Sequence, residues 1–125
     1  WRACARDVPA CDTAVFSRYL VDPHLESALS TVATWKAESY AAVDVDSLTY
    51  DVIDVDLGYV IPHVIVCEVD ASALVKRQPG LRDEVIQAGY VEAIREIHLR
   101  HISDGWRIEG FSTRQEIWEQ EGALC

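Results

Sequence analysis

Residues 93–118 read Ala93-Ile-Arg-Glu-Ile-His-Leu-Arg-His-Ile102, then Ser103-Asp104-Gly105, then Trp106-Arg-Ile-Glu-Gly-Phe-Ser-Thr-Arg-Gln-Glu-Ile-Trp118. An Asp-Gly pair between two runs rich in β-branched and aromatic residues signals a β-hairpin. Gly105 supplies the positive φ that such a turn needs, with no Cβ to strain it. The hairpin puts an antiparallel sheet at the end of the chain and requires the helical first third to cover one of its faces. Val91 to Ile102 also carries a helix-like spacing through Ile94, Ile97 and His101. The strand is preferred because the turn joins it to an evident strand.

Upstream, Asp12 is placed to cap a short helix through Val15, Phe16, Tyr19 and Leu20. Asp22-Pro23 breaks it, since the residue before proline avoids the α region. Pro23 then suits the first turn of a second helix, with Asp22 as its cap. Leu25, Ala28, Leu29, Val32 and Trp35 make one apolar face, which Ser39 and Ala42 continue. From Ser47 the period becomes two. Leu48–Leu57 alternates as a strand, Gly58 turns, and Tyr59–Val69 forms a second strand, apolar on both faces. Pro62 cannot donate to a ladder and belongs at an edge or a bulge. Ala71–Gly89 is an excursion with a Pro79-Gly80 turn, and Leu81–Gln87 reads as a helical turn. The expected class is α+β: N-terminal helices packed on a curved four-stranded antiparallel sheet. Residues 1–12 are a lead-in, 13–118 a single domain and 119–125 a tail.

The chain has 125 residues, half of them hydrophobic, and a formal net charge of −10. That is enough to bury a core. The charge argues against sequence-independent nucleic-acid binding, which needs a basic footprint. No apolar run approaches the roughly 20 residues of a membrane-spanning helix. The chain starts at Trp1 and so reads as a processed product or a piece of something longer. An upstream membrane anchor is compatible with it. Of the four cysteines, Cys4 and Cys11 lie close together in a polar, proline-containing stretch that a bridge would tie down, and Cys125 could pair with either. Cys67, inside an apolar run, reads as a buried small hydrophobe. The even count leans towards an oxidising, extracytoplasmic or membrane-tethered setting.

The Leu25–Trp35 helix, the Tyr50–Val69 pair of strands and the closing Ile94–Ile102, Ser-Asp-Gly, Trp106-Arg-Ile hairpin resemble the nuclear transport factor 2-like, cystatin-like cone superfamily over residues 13–118. In layout they look most like the import-motor anchor domain of the mitochondrial inner membrane and the periplasmic assembly domains of type IV secretion and conjugation systems. The resemblance implies a cone-like fold and a non-catalytic binding or assembly domain that uses a sheet face or pocket to hold a protein partner or a second copy of itself. Trp106, Phe111 and Trp118 are the candidate partner contacts, since aromatics concentrate at interface centres.

The alternative is a small acid–base enzyme of isomerase or dehydratase type. A two-residue loop at Leu57-Gly58 would set Val52 opposite His63, with Tyr50 and Asp54 diagonal to it. Asp54 would then serve as base and Tyr50 or His63 as donor to an oxyanion. A one-residue slip would send these groups to the other face. The acids Asp44, Asp46, Asp51, Asp54 and Asp56 do not have EF-hand spacing. His98 and His101 lack a third zinc partner. No cofactor or metal is expected.

Overall fold

The computed structural model describes residues 1–58, 60–118 and 124. The chain is α+β, with two α-helices, short 3-10 turns and two antiparallel sheets among the described residues. In chain order the elements are α1 (Arg2–Arg6), α2 (His24–Glu38), β1 (Tyr40–Val43), β2 (Thr49–Asp56), β3 (His63–Asp70), β4 (Ala73–Lys76), β5 (Glu84–Ala88), β6 (Val91–Ile102) and β7 (Gly105–Ile117). The larger sheet has the order β2-β3-β6-β7 and the smaller one β1-β4-β5.

The β6–β7 hairpin forms as its sequence predicts, with Ile102 paired to Gly105 across the turn and Gly105 at φ 145°. Two bulges on β7 shift its register, between the Ile94 and Arg95 pairs and between the His98 and Leu99 pairs. Such insertions increase local twist and re-aim side chains. The β7 edge is then met at Ile108 by residues 19–21. Val21 N–H donates to Ile108 O at 2.9 Å, Ile108 N–H donates to Tyr19 O at 2.7 Å, and Leu20 makes a parallel bridge to Ile108.

The Asp12 carboxylate accepts the Ala14 N–H, and it caps a 3-10 helix, Thr13–Arg18. The Asp22 carboxylate accepts the Glu26 N–H at 3.2 Å, tying down the first turn of α2. The apolar stripe of α2 mainly meets the N-terminal segment. Leu25, Ala28, Val32 and Trp35 pack with Cys4, Val8 and Phe16. The first twelve residues, read from sequence as a lead-in, are therefore part of the core. The Cys4–Cys11 disulfide closes them into a loop.

Several expectations are corrected. α2 stops at Glu38, because Ser39 adopts a left-handed conformation at φ 59°, and Ala42 lies in β1 instead of continuing the helix. A left-handed residue satisfies the helix C-terminus but cannot continue it. Leu81–Gln87 is not a helical turn: Glu84–Ala88 is extended and pairs with β4. β3 begins at His63, so the connection from β2 runs well past Leu57-Gly58. Cys67 is buried at 2 % exposure, but it is disulfide-bonded and not a free thiol. Glu92 is buried too, and its carboxylate accepts the Leu124 N–H at 2.8 Å. Cys125 and residues 119–123 of the expected tail lie outside the described residues.

Candidate functional site

Paired residues in an antiparallel ladder share a face, and faces alternate along each strand. Tyr50 pairs with Glu68, Val52 with Val66 and Val55 with Val64. Glu68 pairs in turn with Ala93, Val66 with Arg95 and Val64 with Ile97. Thr113 continues this face from Arg95, and Phe111 from Ile97. This is the face turned towards α2. Because the α2 stripe is largely taken up by the N-terminal segment, the helix does not seal against it. A cleft of about 720 Å³ remains. The sheet contributes Tyr50, Glu68, Arg95, Ile97, Ile108 and Phe111; α2 contributes His24, Ser27, Ala28 and Thr31; Trp1, Phe16, Tyr19 and Leu20 complete the wall.

Arg95 lies at the floor of this cleft. Its Nη2 is 2.8 Å from Glu68 Oε1 and its Nη1 is 3.2 Å from Glu116 Oε2. Its Nη1 also donates to Thr113 Oγ1. The guanidinium lies 5.7 Å from the Phe111 ring centre, within cation–π range. The Arg95 and Glu68 side chains are 16 % and 15 % exposed. A charge this sheltered needs partners, and here two carboxylates supply them. Partial burial, then the neighbouring Glu68 carboxylate, push the Tyr50 phenol up from its ordinary value. Tyr50 therefore stays protonated, and its hydroxyl donates to the Glu68 carboxylate. On the opposite wall His24 meets Phe111 edge to face at 5.5 Å, and burial lowers its pKa. The cleft thus presents aromatic and aliphatic surface, with the Arg95 guanidinium engaged by Glu68 and Glu116 and the His24 imidazole on the opposite wall.

The sequence-predicted trio is not assembled. β2 carries a bulge between Val52 and Asp54, so Asp54 pairs with Ile65 and Asp56 with His63. Tyr50 faces the cleft, while Asp54 and His63 lie on the opposite face. The expected diagonal contacts fail for two physical reasons: the extra residue at Ile53 flips the side chains that follow it, and the longer β2–β3 connection resets the register. On that outer face, Arg114 Nε donates to Glu96 Oε2 at 2.7 Å and His98 Nε2 lies 3.4 Å from Glu96 Oε1. The Arg114 hydrogen bond, reinforced by the nearby positive charges, holds Glu96 below its usual range. His63 Nδ1 lies 2.9 Å from Ile61 O. His98 and His101, three apart on one strand, lie on opposite faces. Among the described residues no cluster has the make-up of a metal site.

Of the aromatic contact candidates, Phe111 is exposed and lines the cleft. Trp106 packs edge to face on His101 at 4.9 Å. Trp118 lies at a second, smaller cavity between the two sheets, bordered also by Trp35, Leu74 and Val91. Arg95, Glu68, Glu116 and His24 were not singled out from sequence. Their signal was present: Glu68 and Arg95 are charged residues that interrupt apolar positions on the inward faces of β3 and β6.

No protein-family description matches this chain, and neither a characterised protein nor a solved structure shows significant similarity to it.

Proposed function

We propose that the chain is a non-catalytic binding domain, and that the cleft between α2 and the four-stranded sheet receives apolar side chains of a protein partner. The observation that carries this reading is the cleft itself: about 720 Å³, of ligand-pocket size, with the Arg95 guanidinium at its floor already engaged by Glu68 and Glu116. A site of this kind rewards apolar burial. The likeness to the nuclear transport factor 2-like cone belongs to the same proposal, with α2 lying over a concave sheet face. So does the assembly role, whether with a protein partner or a second copy. The disulfide-bonded cysteines fit an oxidising compartment. The acid–base alternative loses its geometric basis with the separation of Tyr50 from Asp54 and His63.

The test uses the neutral apolar dye N-phenyl-1-naphthylamine, followed by its own emission and by the fluorescence of Trp1 in the cleft wall. The wild-type protein should bind it, and Ser27→Trp, which fills the cleft from an exposed position of α2, should weaken binding by about tenfold. Absence of binding to the wild type, or equal binding by a folded Ser27→Trp variant, would overturn the proposal. Sedimentation across concentration decides between self-association and a different partner.

A further inference from the structure

The two edges of the four-stranded sheet are treated differently. The β7 edge is bridged at Ile108 by residues 19–21. Among the described residues nothing pairs with the outer edge of β2, although the strand is eight residues long. An uncovered strand of this length is a template for another chain.

The register gives β2 two unlike faces. Tyr50, Val52 and Val55 lie on the face shared with Glu68, Val66 and Val64, and they are 49 %, 64 % and 52 % exposed. Asp51, Asp54 and Asp56 lie on the other face, shared with Cys67, Ile65 and His63. The three carboxylates share one face of the strand, while Arg95 and Arg114 are engaged by Glu68, Glu116 and Glu96. A second copy of this chain pairing antiparallel through β2 would set aspartates against aspartates, which is destabilising across a ladder. The bulge at Ile53 and the Asp54 carboxylate, which accepts the Val55 N–H at 2.9 Å, interrupt the edge for any added strand, so the main-chain pairing falls on the residues to either side and the choice of partner falls to charge. The same acids favour a strand of opposite charge.

We propose that the β2 edge accepts an extended basic segment of another protein as a fifth strand, with alternate apolar side chains covering Val52 and Val55 and alternate Arg or Lys side chains meeting Asp51, Asp54 and Asp56. Main-chain hydrogen bonds supply affinity, and the alternation supplies specificity. The surface is distinct from the floor of the cleft, so the two sites are tested separately.

The probes are octapeptides alternating arginine with valine, glutamate with valine, and the arginine–valine peptide N-methylated at every second residue. N-methylation keeps the side chains and removes the amides needed for strand pairing. The arginine–valine peptide should shift backbone amide resonances across 49–56 and bind about tenfold tighter than the glutamate–valine peptide, the scale of three favourable cross-strand charge pairs. Added salt should weaken it. The N-methylated peptide should lose binding to the wild-type protein, and Asp51→Asn/Asp54→Asn/Asp56→Asn should lose about tenfold with the far-ultraviolet spectrum retained. Equal binding of the N-methylated or the glutamate peptide overturns strand addition, as does a wild-type dimer paired through β2. The peptide result is independent of Ser27→Trp, so failure at the edge and failure at the cleft are distinguishable.

Discussion

Replacing Arg95 by methionine tests the electrostatic logic of the cleft floor. The substitution keeps the length and apolar stem of the side chain but removes the guanidinium held by Glu68 at 2.8 Å and Glu116 at 3.2 Å. Two carboxylates are then left facing each other without a cation, one of them 15 % exposed. Removing one partner of a buried pair costs about 3–5 kcal/mol, and the remaining solvent access places this site near 3 kcal/mol. With an unfolding entropy of about 2.1 cal/mol/K per residue, a chain of this length loses about 4 °C for each kcal/mol, so Arg95→Met should lower Tm by about 11 °C. The companion variants are Glu68→Leu and Arg95→Met/Glu68→Leu, read by calorimetry and urea unfolding. Replacing a buried pair with apolar side chains is often close to neutral, so the double variant should cost less than about 1 kcal/mol. The coupling between the two positions is then about 2 kcal/mol or more. A loss under about 0.5 kcal/mol for Arg95→Met, the range of an ordinary surface change, would refute the claim that the pair is buried and coupled. Costs that simply add in the double variant would refute it as well.

The remaining predictions concern pH, the closing turn and the leading loop. Burial lowers the His24 pKa below 6.5, so the unfolded chain binds this proton more readily than the folded one. Stability is full above pH 6.5 and declines as pH falls towards the folded-state value. His24→Gln should flatten that slope, and an NMR titration placing His24 at or above 6.5 would contradict it. Gly105 at φ 145° occupies backbone space that other residues avoid, so Gly105→Ala should cost about 1–3 kcal/mol; an unchanged Tm would show that the turn relaxes without strain. Cys4→Ser/Cys11→Ser opens a loop with a sequence separation of 7. On the chain-entropy relation it should lower stability by about 2.5 kcal/mol, measured by urea unfolding; a loss near zero would mean that core packing alone holds the segment.

The parts legible in the sequence are those where one local signal was strong. Ser103-Asp104-Gly105 between β-branched runs located the hairpin, and Leu25, Ala28, Val32 and Trp35 located α2. Features set by tertiary pairing were less legible. Ser39 ends α2 in a left-handed conformation usually taken by glycine, so nothing marked the change into β1. β4 and β5 are short and exist through their pairing with β1, which local preference does not encode. The bulge at Ile53 has no glycine to announce it, yet that single insertion separates Tyr50 from Asp54. The roles of Glu68 and Arg95 are spread over strands 27 residues apart, beyond the reach of a local pattern.

The latch of residues 19–21 on β7 also bears on how the protein is made. Tyr19 and Val21 bond to Ile108, so the opening segment meets its partner only after most of the chain has left the ribosome. Until then Phe16 and the apolar side of α2 lack the hairpin beside them, and long-range closure of this kind slows folding. The Cys4–Cys11 ring spans a sequence separation of 7 and needs none of those late strands in order to close, whereas the latch at residues 19–21 has to wait for Ile108.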